Sequence, residues 1–131
     1  MKREIKFRAW FTPREKGEGK PRMLYLDNSF KAKIHNGHWI TLASEGLDLM
    51  QFTGLKDKNG KELYESDIVF YEQFLYNSDT VVQKTDIIVY NQCGFCLRND
   101  GSQWFIGDNK NAGRNNFEVI GNIYENPELL K

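Results

Sequence analysis

A chain of 131 residues with 40% hydrophobic and 14% aromatic side chains holds enough apolar and ring surface to build one core, which excludes wholesale disorder. No apolar run approaches the roughly 20 residues of a membrane span, and Met1-Lys2-Arg3-Glu4 leads into alternating residues, not a secretory leader, so a soluble cytoplasmic protein is expected. The formal net charge is zero, against the strong basic excess of proteins held to DNA mainly by phosphate contacts, yet residues 1–38 carry ten Lys or Arg against four acids (+6) and residues 39–131 eight against fourteen (−6).

In chain order, Ile5-Lys6-Phe7-Arg8-Ala9-Trp10 alternates apolar and polar and reads as a half-buried strand, with Ile5, Phe7 and Ala9 inward and Trp10 on the Lys6/Arg8 face. Residues 12–22, with two prolines and two glycines, read as a loop or long hairpin connection, and the core resumes at Met23 to Leu26. Asn36-Gly37 predicts a two-residue type I′ hairpin turn between strands running from Phe30 to Leu42. Ser44 is placed to cap one short helical turn over residues 44–50, which Gly46 weakens, and Gln51 to Leu55 reads as extended. Asp57-Lys58-Asn59-Gly60 predicts a turn, because aspartate suits its first position and glycine supplies the left-handed conformation at its end. Strand patterns follow at 68–74, 81–90, 94–98, 104–106 and 117–124, separated by Asn, Asp and Gly clusters, with a polar loop at 108–116. Asn126-Pro127-Glu128 has the order of a helix start and predicts one terminal turn. The expected architecture is mainly β, with little helix: N-terminal β-hairpins packed on a small SH3-like barrel from about Asp67 to Tyr124. One domain over residues 1–131 is expected, with 1–55 and 56–131 as candidate lobes.

Several of these segments together resemble the YopX family of bacteriophage and prophage genomes. They are Glu4-Ile5-Lys6-Phe7-Arg8-Ala9-Trp10, then the run from Gln51-Phe52-Thr53-Gly54-Leu55 through Lys56-Asp57-Lys58-Asn59-Gly60 to Lys61-Glu62-Leu63-Tyr64-Glu65, then Asp67-Ile68-Val69, Gly94-Phe95-Cys96, and Val119-Ile120-Gly121-Asn122-Ile123-Tyr124-Glu125-Asn126-Pro127. An ordered series of landmarks is far more specific than one short motif. The resemblance implies a phage or prophage accessory protein, and it brings no catalytic residue, cofactor or activity to carry over. Ser66 stands where the family usually has glycine, which puts the geometry of that turn in question; Cys93 stands where another residue is more common.

Read for chemistry, Cys93-Gly94-Phe95-Cys96 has dithiol spacing, but its flanks read as strands and not as the helix N-terminus that lowers a thiolate pKa. Cysteines this close form no disulfide framework, which fits a reducing compartment. His35 and His38, placed as opposed residues across the predicted two-residue turn, share a face, yet local sequence supplies no third metal ligand. A calcium loop with Gly60 sixth would put Leu55 first and Ser66 twelfth, so that pattern fails. There is no phosphate-binding glycine loop or Gly-x-Ser-x-Gly elbow, and Gly113-Arg114 alone is weak.

No catalytic, cofactor-binding or metal-binding residue is therefore assigned, and no cofactor is expected. Trp10, Trp39, Tyr64 and Trp104 are candidate interface rings, each also suited to packing. The expected interaction surface is Lys6, Arg8 and Trp10. A non-enzymatic module that binds an unidentified protein or its own copies is the first functional expectation; nucleic-acid binding through the basic N-terminal strand is the second.

Overall fold

The computed structural model describes residues 4–14, 19–34, 37–44, 46–74, 79–91, 94–98 and 117–130. The strand expected at 104–106, the polar loop at 108–116, Gly113-Arg114, His35 and Cys93 lie outside the described residues. The chain is mainly β, with a curled half-barrel sheet and other small sheets. It divides into two compact units, Met1–Phe52 and Thr53–Lys131, with the boundary inside one strand.

In the first unit, β1 (Phe7–Phe11) pairs antiparallel with β2 (Arg22–Tyr25) on one side and with the start of β5 (Leu47–Lys56) on the other. A hairpin of β3 (Lys31–Lys33) and β4 (Trp39–Thr41) forms a separate two-stranded sheet. Phe11, Ile34 and Ile40 make the buried cluster here, with Leu24, Leu26, Ala32 and Leu47 packed around it. As an inner strand, β1 has neighbours on both sides. Its burial does not follow the expected alternation: Arg8, Ala9 and Phe11 are buried, while Ile5, expected inward, lies before the strand and is 52% exposed.

Residues 47–50 are strand and not the expected helical turn. Gly46 adopts φ +80°, its carbonyl accepts the Thr12 amide at 3.0 Å, and Leu47 and Asp48 then pair with Phe11 and Trp10. A side chain at Gly46 would place Cβ 2.9 Å from the Thr12 carbonyl oxygen, so glycine is required twice over, by conformation and by space. Ser44 still caps, but it closes a turn on Thr41: the Thr41 amide donates to Ser44 Oγ at 2.9 Å, and the Ser44 amide to the Thr41 carbonyl at 3.0 Å.

In the second unit, β6 (Glu62–Tyr64) leads through a tight turn into β7 (Asp67–Phe74). There a four-stranded sheet has the order β10-β7-β8-β9, with β8 at Val81–Asn91, β9 at Gly94–Leu97 and β10 at Glu118–Asn122. All three pairings are antiparallel, and β10 carries a register shift between Val119 and Gly121. Leu63, Val69, Tyr71, Ile88, Phe95 and Leu97 form its core, against which Phe117 and Val119 pack. Pro127–Leu130 makes the single terminal turn, of 3-10 type.

Candidate binding surface

The polar residues of the family-like motifs are largely engaged in holding turns. Asp57 is 4% exposed, and its Oδ1 accepts the amides of Asn59 and Lys61, both at 2.8 Å, while Oδ2 accepts the Val119 amide at 3.0 Å across 62 positions of chain. Next to it the Lys58 amide donates to the Phe117 carbonyl at 2.9 Å, and Lys58 Nζ lies 3.7 Å from Glu118. Burial alone would raise the Asp57 carboxyl pKa. The amides of Val119, Lys61 and Asn59, with the Lys61 ammonium, outweigh it and hold the pKa below its ordinary value.

The same device recurs at Asp27, whose Oδ1 accepts the amides of Ser29 at 2.8 Å and Lys31 at 3.0 Å. In both loops the aspartate amide donates to the carbonyl four residues on, and the fourth residue is left-handed: Gly60 at φ 85°, Phe30 at φ 60°. Phe30 carries that conformation with its ring edge-on to Phe7 at 5.5 Å. At the third site, Ser66 adopts φ 71° where the family resemblance expected glycine. Its amide donates to the Ile88 carbonyl at 2.7 Å and its carbonyl accepts from Ile123 at 3.1 Å, while the buried Asp67 Oδ2 accepts the Tyr64 amide at 2.8 Å.

The closing motif is equally structural. Asn122 Oδ1 accepts the amides of Tyr124 at 3.0 Å and Glu125 at 2.9 Å, and its Nδ2 donates to Glu125 Oε1 at 3.0 Å. Asn126 Oδ1 returns to accept the Asn122 amide at 3.3 Å and sits where a Gly121 Cβ would lie, at 2.5 Å.

Of the expected surface trio, Arg8 is only 3% exposed and is not a surface cation. Lys6 Nζ lies 3.1 Å from Glu4 and 5.3 Å above the Phe52 ring, and Trp10 is half-buried. With Arg8 buried, Trp10 half-buried and Lys6 lying before β1, these three do not make one open face. Tyr64, 4% exposed, is core, and Trp104 lies outside the described residues. Cys96 is buried in β9. The type I′ turn and the opposition of the two histidines are both corrected by register: Lys33 pairs with Trp39 and the Ile34 amide donates to the His38 carbonyl, so His38 opposes Ile34 across a three-residue loop. The Gly37 amide closes on Ile34 with Gly37 at φ 87°, the left-handed ending of a longer hairpin loop. Among the described residues, no group of three or more His, Cys, Asp or Glu is placed to hold a metal ion, and no helix is long and apolar enough to cross a membrane.

The β3–β4 hairpin does present such a face. Strand alternation turns Ala32, Ile34 and Ile40 into the buried cluster, and it therefore turns Lys31, Lys33, Trp39 and Thr41 the other way. Both lysines are exposed and Trp39 is 58% exposed. Because Ile34 and His38 form a hydrogen-bonded pair, Lys33 and Trp39 form the neighbouring non-hydrogen-bonded pair, where side chains come closest; Lys33 Nζ sits 5.9 Å from the indole centre. Sequence reasoning named Trp39 but missed the two lysines. The period-2 pattern Lys31-Ala32-Lys33-Ile34 is the signal that marks them.

The fold and this surface define a mainly β protein of two units, with turn-forming motifs and a basic, ring-bearing hairpin face. The family model described as "YopX protein" matches residues 6–131, and the chain belongs to that family. No curated protein matches it. Among solved structures it is similar to the crystal structure of protein EF1440 from Enterococcus faecalis, at 24% identity and a TM-score of 0.59, over 98% of this chain and 99% of that one. That likeness concerns the fold alone.

Proposed function

We propose that this YopX-family chain is a non-enzymatic accessory protein of phage or prophage, working in the bacterial cytoplasm by binding another protein or its own copies. The observation that carries the reading is the set of rings more than half exposed on strands: Tyr25 at 59%, Trp39 at 58% and Tyr90 at 54%. Aromatic side chains give large contact area at small entropic loss and dominate interface energetics. The carboxylates most withdrawn from water point the same way, because Asp57, Asp67 and Asp86 each accept backbone amides and so serve the fold.

Affinity capture from induced lysogens tests it, comparing the wild type with Tyr25→Ala, Trp39→Ala and Tyr90→Ala, with light scattering on the purified proteins. A reproducible partner, or a concentration-dependent mass, that is lost on truncating a ring is expected. No reproducible partner for the wild type, together with a strictly monomeric mass, would overturn it.

A second reading, nucleic-acid binding, is favoured by one specific observation, the pairing of exposed Trp39 with exposed Lys33, with Lys31 exposed on the same strand face.

A further inference from the structure

We infer that the outward face of the β3–β4 hairpin is a stacking site for single-stranded nucleic acid, with Trp39 receiving a base and Lys31 and Lys33 the flanking phosphates. The inference rests on the second of the two readings above, nucleic-acid binding, and names the face and the kind of strand it would take.

Charge decides between a polyanion and a second copy of the chain. Residues 1–52 hold ten Lys or Arg against six acids, +4, and residues 53–131 hold eight against twelve, −4. Complementary docking of copies would need that −4 on the surface. Yet Asp57, Asp67 and Asp86 are buried, so part of that acid count is withdrawn from the surface. Removing the buried Arg8 from the first unit still leaves nine bases against six acids. Burial thus withdraws three of the second unit's acids, whereas Lys31 and Lys33 stand exposed on the hairpin, and an external polyanion is the complement these two lysines fit.

Geometry narrows the anion. A basic face alone takes any polyanion, but an exposed indole beside ammonium groups adds a flat π-surface on which an unpaired base stacks, a contact indifferent to base identity. Duplex bases are already stacked on one another and offer no such face. Asp27, four residues before Lys31, directs Oδ1 to the amides of Ser29 and Lys31, where it organises the loop that starts β3. The rear of the hairpin is fixed by Ile34 and Ile40 in the buried cluster, so the platform is held on a packed base and not on a loop tip.

The test is fluorescence anisotropy with labelled 20-nucleotide single-stranded DNA, single-stranded RNA and duplex DNA, from low salt upward, on the full chain. Trp39→Ala is expected to weaken single-strand binding by at least about fivefold, with Trp39→Phe restoring most of it. Lys31→Gln/Lys33→Gln is expected to lower the salt slope of log K by about 1.4, two phosphates' worth for a single strand. Unchanged thermal melts confirm that the variants fold. No binding to either single strand at low salt, equal affinity for duplex, wild-type affinity in Trp39→Ala, or equal competition by polyglutamate would each overturn the inference. If oligonucleotides fail to bind while ring truncation still abolishes a captured protein partner, the site assignment falls and the binding-module reading stands.

Discussion

Ser66, Gly121 and Asp57 carry much of the turn geometry, and each responds to substitution in a direction fixed by its surroundings. Ser66 holds φ 71° with both backbone groups engaged. An L-residue in that region costs about 1–2 kcal/mol, part of which glycine gives back through its greater unfolded-chain freedom. Ser66→Gly is therefore expected to stabilise by about 0.5–1 kcal/mol, and Ser66→Val to destabilise, in denaturant unfolding. Gly121→Ala drives a methyl into Asn126, at 2.5 Å from its Oδ1 and 2.8 Å from its Cβ, and is expected to cost about 1–3 kcal/mol in the same assay. Asp57 differs because its worth depends on charge. Its folded pKa lies below the ordinary value, so its stabilisation is complete above the unfolded carboxyl pKa of about 3.9 and is lost as pH falls through the lower folded value. Asp57→Asn is expected to cost about 2 kcal/mol near neutral pH and to flatten the acid limb of the stability profile below pH of about 5. An acid limb identical to the wild type would refute that assignment.

At the scale of elements, the strands at 68–74, 81–90, 94–98 and 117–124 were legible because β-branched and aromatic runs stand between clear Asn, Asp and Gly breaks, and β7 to β10 fall on them. The Asp57 turn was legible for the same reason. Its distant partner was not: nothing local in Asp57-Lys58-Asn59-Gly60 announces the Val119 amide. The Asp27 turn was missed because phenylalanine occupies the position where glycine would have signalled it. The helical turn expected from Ser44 gave way to the pairing of Leu47 and Asp48 with β1, a tertiary contact that local capping chemistry does not encode. Arg8 illustrates the same limit of pattern reading. Alternation assigns it to water, whereas in the fold it is buried beside Ala9, so the period-2 pattern does not hold in β1. The open face belongs instead to the β3–β4 hairpin, so Trp39→Ala is expected to change unfolding free energy by no more than about 0.5 kcal/mol while altering binding.

For the whole molecule, the distinction between motif and surface organises the account. The segments that mark the YopX family between residues 51 and 69 and between 119 and 127 supply turn bonds, buried carboxylates and core strands; the exposed rings and lysines of the hairpin lie outside them. In the proposed reading these motifs build the scaffold, and binding falls to its exposed faces. The charge division of the sequence is reduced at the surface by the burial of Asp57, Asp67 and Asp86 on one side and of Arg8 on the other. The most direct measurement is an amide chemical-shift map of the labelled full chain titrated with single-stranded DNA. Perturbations centred on Lys31, Lys33 and Trp39, with the residues 57–61 and 121–126 silent, are the predicted result; perturbations centred on those turns with the hairpin unaffected would contradict it.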